Sequence, residues 1–139
     1  MTTETGGTLD AELAARFESL PELVNGDAWL VHRGRFLSTE VLIELGQAPY
    51  LLAIERGRIA ALERGARPLR SWRFAVRAGE DAWRRFWRAV PAPGDHDIFA
   101  LAKRGELIIE GDLQPFMANL FYFKDLLAAP RGQARGGRP

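Results

Sequence analysis

Three consecutive segments in the first half of the chain alternate between apolar and polar positions. They span residues 37–45, 50–54 and 58–64, and Gly57 lies in the tight reversal between the last two. A period of two residues is typical of a strand with one buried face, and a glycine suits a tight hairpin turn. The pattern therefore predicts three strands joined by short turns.

A fourth alternating segment carries aromatic and basic side chains. Trp72, Phe74 and Val76 alternate with Arg73 and Arg77. Residues two apart in a strand point to the same face, so the aromatic side chains are expected in the core and the arginines in water. This segment is predicted to be the fourth strand.

Apolar residues recur at helical spacing in four other segments. Three of the predicted helices span 9–24, 97–104 and 112–128. The fourth follows the fourth strand and has Trp83, Phe86, Trp87 and Val90 on one face. Pro21 is expected to end or kink the first helix, and Asp112 to cap the last one. The continuous apolar run 107–109 predicts a central strand buried on both faces. The apolar run 29–31 is too short to assign.

The resulting order is α-β-β-β-β-α-α-β-α, which predicts an α+β fold. We expect a single five-stranded, largely antiparallel sheet with helices over one face. One domain is predicted over 8–129, preceded by a flexible N-terminus over 1–7. Residues 130–139 are rich in arginine and glycine and are predicted to form a disordered basic tail.

Composition excludes several kinds of chemistry. The 139 residues include no cysteine, so disulfides, thiolate metal sites and a cysteine nucleophile are absent. No segment approaches the roughly 18–20 apolar residues that cross a bilayer, and residues 1–7 are polar, unlike a signal peptide. A cytoplasmic protein without a cofactor or metal is expected.

Basic charge is concentrated in the middle of the chain. Ten arginines lie between Arg56 and Arg88, against only Glu63, Glu80 and Asp81. Such an excess is a candidate surface for an anionic partner. RNA-binding sheets place bases on exposed aromatics beside basic residues, whereas the aromatics and arginines here alternate between faces. Nucleic acid is therefore not expected, while a solvated face and contact with a membrane surface stay open.

The segment Asp95-His96-Asp97 is the strongest candidate for catalysis. A histidine between two carboxylates could act as a supported base, but sequence neighbours do not point the same way. No Gly-x-Ser-x-Gly elbow accompanies it, and no second histidine lies nearby to complete a metal site. One of the two aspartates is expected to cap the following helix. The interpretation is that the chain is not an enzyme.

The C-terminal third resembles a known family. The run Gly105-Glu106-Leu107-Ile108-Ile109-Glu110-Gly111-Asp112 precedes the apolar helical segment 116–121, and the aromatic segment 83–87 follows a strand. Together with the element order, these features resemble the sterol carrier protein type two family, over about 8–128. The resemblance implies non-covalent binding of an acyl chain, sterol, quinone or similar ligand, without catalysis.

The final helix supports this expectation independently, because Phe121 and Leu126 widen its apolar stripe beyond what one packed face needs. The predicted ligand site has a floor on the sheet and a lid on the helices. Its residues are Val41, Ile43, Leu52, Ile54, Trp72, Phe74, Trp83, Phe86, Trp87, Phe99, Met117, Leu120 and Phe121. The alternative is a protein–protein or dimerisation module that uses the same apolar helix surface. Ligand identity and oligomeric state are left open.

Overall fold

The computed structural model describes residues 9–65 and 71–131, which form helices and one sheet. The helices are α1 Ala11–Glu18, α2 Leu20–Asn25, α3 Ala28–Arg33, α4 Glu80–Phe86, α5 Ile98–Lys103, α6 Gln114–Ala118 and α7 Leu120–Ala128. The strands are β1 Ser38–Leu45, β2 Ala48–Glu55, β3 Arg58–Arg64, β4 Phe74–Ala78 and β5 Leu107–Gly111. The α+β class is confirmed.

The five strands form one sheet in the order β3-β2-β1-β4-β5. Three neighbouring pairs are antiparallel, and β1 and β4 are parallel. Val41 of β1 lies opposite Leu52 of β2 and Phe74 of β4. The largely antiparallel sheet is thus confirmed, with one parallel pair at its centre.

Both faces of the central strands are buried. Val41, Ile43 and Phe74 belong to the main hydrophobic core, together with residues of the helices. Leu42 lies between Leu51 and Ala75 in the register, on the opposite face, and all three are also buried. The sheet therefore excludes water on both sides at its centre, and the helix residues of the main core pack on the first face.

The N-terminal helix is shorter than the sequence predicts. It divides at Ser19, which ends α1 and begins α2, and Pro21 lies in the first turn of α2. Proline is tolerated there because first-turn N–H groups have no intrahelical partner. The unassigned run around Trp29 is helix α3, and its N-cap Asp27 accepts a hydrogen bond from the Leu30 amide.

The aromatic helix after β4 also ends earlier than predicted. Gly79 caps α4, which ends at Phe86, with Trp87 as its C-cap. Val90 lies beyond the helix and is 82% exposed, so its assignment to the apolar face is wrong. The i+7 spacing placed Val90 on that face only if the helix continued for another turn.

The position of β5 contradicts the prediction of a central strand. β5 pairs with β4 at one edge of the sheet, and Ile108 is 51% exposed. A continuous apolar run does not reveal how many neighbours a strand has. The final helix divides too, at Asn119, whose side-chain amide donates to the Pro115 carbonyl at 3.0 Å.

Some predictions concern residues near the chain ends. The predicted flexible N-terminus, 1–7, and residues 132–139 of the predicted tail lie outside the described residues, as do residue 8 and residues 66–70. Arg131, in the predicted tail, donates to the carbonyls of Phe86 at 2.9 Å and His96 at 3.1 Å. Among the described residues, every helix is too short or too polar to span a bilayer.

Candidate functional site

The predicted floor lies on the sheet face that the helices cover. Val41, Ile43, Leu52, Ile54 and Phe74 are each at most 2% exposed and belong to the main core. Their spacing of two within each strand puts them on one face, as the alternation predicts. This face and the helices above it form the candidate ligand layer.

Trp72 does not belong to this floor. It precedes β4, and its ring lies 5.8 Å from the guanidinium carbon of Arg77. Arg77 follows the fully buried Val76, so it points to the opposite face of the sheet. The predicted alternation holds within β4 but does not extend back to Trp72, which lies outside the strand.

One end of the layer is held by directional hydrogen bonds, and we call it the anchored end. It contains Trp83, Trp87, Phe17 and Tyr50, all at most 1% exposed. The indole N–H of Trp83 donates to the Glu44 carbonyl at 2.8 Å, and that of Trp87 to the Leu127 carbonyl at 2.7 Å. The two indoles stack at 5.0 Å. This end is a fixed wall, because each buried indole is both packed and hydrogen-bonded.

The other end, which we call the exposed end, is built by α6 and by Leu120 and Phe121 at the start of α7. The Phe116 ring lies 5.5 Å from Phe74, 6.1 Å from Phe99 and 5.7 Å from Phe123. Met117 and Phe121 point outward, and Phe121 is 69% exposed. The Phe116 side chain of α6 thus contacts β4 through Phe74 and the neighbouring helices through Phe99 and Phe123, and ring contacts lack the directional hold of a hydrogen bond.

The remaining lid residues divide between the two ends. Phe86 is buried beside Trp83, whose ring lies 6.0 Å away. Leu120 is half-buried against the core, and Phe99 lies at its margin with the Lys124 ammonium 5.5 Å from its ring. The structure therefore brings most of the predicted residues into one layer, and turns Trp72, Met117 and Phe121 away from it.

Most side chains of the predicted floor and lid are buried against one another. Surface pockets lie elsewhere: one of about 470 Å³ beside β3 is lined by Pro21, Tyr50 and Leu62 among others. A second, of about 360 Å³, lies between α1 and α4, and a third, of about 140 Å³, lies between α5 and α7. Among the thirteen predicted residues, only Phe86 lines any of these three pockets. A ligand in the layer would have to displace side chains.

Several aromatic residues of the layer were missing from the predicted site. Phe17, Tyr50, Phe116, Tyr122 and Phe123 are all buried there. Phe116 and Phe123 are seven residues apart, a spacing that places both on one helical face and could have included them. Tyr122 is buried, and its hydroxyl donates to the Gly57 carbonyl at 2.7 Å, linking α7 to the β2–β3 turn.

In the segment around His96, both aspartates have structural partners. The Asp95 carboxylate accepts hydrogen bonds from Arg85 and Arg104, both at 2.8 Å. Arg104 and Arg85 hold the Asp95 pKa below its ordinary value. Asp97 caps α5 by accepting from the Phe99 amide at 3.0 Å, which confirms the predicted capping role. The described residues contain no group of three or more His, Asp or Glu side chains suited to a metal ion.

Most of the arginines described between Arg56 and Arg88 pair with carboxylates. Arg73 pairs with Asp112, and Arg77 with Glu44 and Glu110. Further pairs link Arg64 to Glu18, Arg84 to Asp10 and Glu80, and Arg85 to Asp81, Asp95 and Glu106. The excess of positive charge in this part of the sequence is thus largely compensated by acids from elsewhere in the chain.

The chain is an α+β protein with a five-stranded mixed sheet, helices over one face and an aromatic layer between them. Solved structures with this fold include a sterol carrier protein 2, with a TM-score of 0.66 and 11% identity over 84% of this chain and 94% of that chain. Sterol carrier protein 2 from Yarrowia lipolytica, in its apo form, gives 0.57 and 10% identity over 91% and 98%. UbiJ-SCP2, a ubiquinone synthesis protein, gives 0.55 and 16% identity over 88% and 96%.

These similarities establish that the chain has the sterol carrier protein 2 fold, as its sequence suggested. No model of a known protein family and no curated protein matches the sequence.

Proposed function

We propose that the chain is a non-catalytic carrier of a hydrophobic ligand, held between the inner face of the sheet and helices α6 and α7. The observation that carries this proposal is the apolar character of both sides of the α6–α7 segment. Phe116, Tyr122 and Phe123 face the core, whereas Met117 and Phe121 face solvent. A helix that only covers a core needs one apolar side. A helix at the entrance for a hydrophobic ligand can use two apolar sides.

Binding requires the exposed end to open while the anchored end stays in place. Separating α6 from the sheet breaks ring contacts of Phe116 but no described hydrogen bond between its side chain and the sheet. A ligand that enters would replace the apolar contacts that α6 gives up, each Å² being worth about 25 cal/mol. The layer with Phe116 packed against Phe74 is then the closed state of the carrier.

The ligand classes that suit this layer are a fatty acyl chain, a sterol and a quinone. Aromatic and aliphatic residues line it, and a quinone is consistent with a neighbour in fold that is a ubiquinone synthesis protein. Asp95 is bonded to two arginines, and Asp97 caps α5. These structural roles support a function without catalysis. We place the carrier in the cytoplasm.

Ligand binding is tested with purified protein in two ways. Native mass spectrometry is expected to show protein carrying a lipid mass, and a fluorescent fatty acid is expected to brighten on titration. Phe116→Ala should bind the probe at least as tightly as the original chain, because its ring no longer occupies the layer. Phe116→Leu serves if the alanine variant is unstable, and Val90→Ala is the surface control.

Two results would contradict the carrier. One is the bare protein mass together with no fluorescence response in either the original chain or the Phe116 variants. The other is a response that these variants leave unchanged while a change in one of the surface pockets abolishes it.

Exposure of Met117 and Phe121 also favours a second candidate, a dimerisation module. In a dimer, the outward side of α6 and α7 would pack against a second copy. Size-exclusion chromatography with light scattering then shows a dimer that Phe121→Glu converts to a monomer. A monomer over the accessible concentration range would exclude this candidate and leave the carrier intact.

A further inference from the structure

Four elements meet at the start of β1. The amide of Gly57, in the β2–β3 turn, donates to the Leu37 carbonyl at 3.1 Å, and the Leu37 amide donates to the Gly34 carbonyl at 2.8 Å. A Cβ atom on Gly57 would lie 2.5 Å from the Val31 carbonyl oxygen, so the turn packs tightly against the end of α3. The hydroxyl of Tyr122 in α7 completes the junction by bonding to Gly57.

Two aromatic side chains at this junction are almost fully in water. Phe36 is 88% exposed, which makes it the most exposed large apolar residue among those described, and Trp29 is 80% exposed. Neither belongs to the core, and neither is needed to cover it. Trp29 lies on α3, and Phe36 follows three residues after the end of α3, so both belong to the segment that packs against Gly57. Exposed aromatic residues that the core does not use mark a surface that another molecule or a membrane covers.

Three arginines of the segments that meet here have no carboxylate partner among the described residues. The Arg35 guanidinium donates to the His32 carbonyl at 2.7 Å and lies 4.6 Å from the Phe36 ring centre. Arg56 and Arg58 flank Gly57 and are exposed. This differs from the arginines at positions 64, 73, 77, 84 and 85, all of which are paired.

Two acidic residues near the junction, Asp27 and Asp125, already have partners. Asp125 pairs with Arg33, and Asp27 caps α3. Glu55 remains beside the turn, opposite Arg58 in the strand register. We call the set Trp29, Arg35, Phe36, Arg56 and Arg58 the aromatic–arginine corner. Its charge is positive even when Glu55 and Asp27 are counted against its three arginines.

We propose that the aromatic–arginine corner docks the protein on the surface of an anionic lipid bilayer. Trp29 and Phe36 enter the headgroup region, where aromatic side chains are favoured, and the arginines meet lipid phosphates. The surface is preorganised because the hydrogen bonds at Leu37 and Gly57 fix the turn against α3. The proposal goes beyond ligand carriage, since it names the surface from which cargo would be collected.

Vesicle co-sedimentation tests the corner directly. The protein is mixed with vesicles of phosphatidylcholine alone and with vesicles of equal parts phosphatidylcholine and phosphatidylglycerol, at low and high salt. The original chain should partition onto the anionic vesicles, and high salt should weaken this binding because it screens the arginines. Trp29→Ser with Phe36→Ser should reduce partitioning by about tenfold or more at both salt concentrations.

The charge contribution has its own variant and control. Arg35→Gln with Arg56→Gln should reduce partitioning about tenfold at low salt and less at high salt. Val90→Ser is the matched apolar control, because Val90 is 82% exposed on the loop after α4. Arg88→Gln is the matched charge control, since Arg88 is exposed there too. Both controls should bind vesicles like the original chain.

Several outcomes would overturn the docking proposal. They are no partitioning onto anionic vesicles, partitioning that the corner variants leave unchanged, and losses that the two controls share. Self-association that the Trp29 and Phe36 changes abolish, without vesicle binding, would assign the corner to a protein partner instead. Fluorescent fatty-acid titration without vesicles separates this test from that of the carrier, because corner variants should bind the probe normally.

Discussion

The anchored end and the exposed end of the aromatic layer are made of the same kinds of residue but held differently. At the anchored end, the indoles of Trp83 and Trp87 are buried and each N–H reaches a backbone carbonyl. At the exposed end, Phe116 makes ring contacts only, and Phe121 beside it lies mostly in water. Aromatic content alone therefore does not define a rigid core; the polar contacts of the aromatic residues do.

This difference assigns separate tasks to the two ends. Hydrogen bonds are directional and resist sliding, whereas apolar contacts can be exchanged for others at little cost in free energy. The anchored end can keep the sheet and helices together while the exposed end admits a ligand. Changes at the two ends should accordingly differ both in their effect on stability and in their effect on binding.

The largest expected effect is at the anchored end. Trp87→Ala should lower the free energy of unfolding by about 4 kcal/mol, because it leaves a large cavity and removes the bond to Leu127. Phe121→Ala, at the exposed end, should change it by no more than about 0.5 kcal/mol. Urea unfolding followed by circular dichroism measures both. Equal losses in the two variants would remove the distinction between the ends.

A smaller effect is expected at Tyr122, which attaches α7 to the β2–β3 turn. Tyr122→Phe leaves the Gly57 carbonyl without its partner and should cost about 1–2 kcal/mol. Amide hydrogen exchange should also become faster in α7. Tyr50→Phe is the matched control, because it also removes a tyrosine hydroxyl. The Tyr50 hydroxyl lies at the anchored end and bonds to Glu18, which is half-exposed. Unchanged exchange in α7 of the Tyr122 variant would show that α7 is held by other contacts.

The smallest expected effect is a change in acid sensitivity at the ionic cluster between α4 and β5. Arg85 and Arg104 lower the pKa of Glu106, and Arg104 and Arg85 lower that of Asp95. Unfolded Asp and Glu titrate near pH values of about 4. The unfolded state therefore binds more protons, so these carboxylates stabilise the fold above about pH 4, and the contribution is lost as the pH falls through their folded pKa.

Asp95→Asn should make stability less dependent on pH below about 4, because one of the titrating carboxylates is gone. Asp81→Asn is the matched control, since Asp81 also pairs with Arg85 but is largely exposed. Unfolding midpoints measured across this pH range distinguish the two. An equal pH dependence in Asp95→Asn and the original chain would show that the cluster does not contribute to acid sensitivity.

The sequence was a good guide to elements whose signal is local. Strand β3 has the predicted ends, and β1 differs from its prediction by one residue. Helix α5 was found because Asp97 begins it and Gly105 follows it. Each of these patterns reports on a few neighbouring residues, so their agreement with the structure needs no knowledge of the rest of the chain.

The candidate site was predicted less completely, because it depends on which surfaces meet. Phe74 and Trp87 lie in the layer as expected, whereas Trp72 and Phe121 do not. Periodicity shows that a residue is on an apolar face but not whether another element covers that face. The carboxylate partners of the arginines were invisible for the same reason, since Asp112 lies 39 residues from Arg73.

By itself, the sequence determined that the chain forms an α+β domain without cysteine chemistry and with an aromatic interior, because composition and short periodicities fix these properties. Only the tertiary structure decided that β1 and β4 run parallel, that β5 is an edge strand and that the two ends of the layer are held differently. These properties arise from contacts between distant segments. A linear pattern of apolar positions states which residues avoid water, but the fold alone decides which neighbours they find.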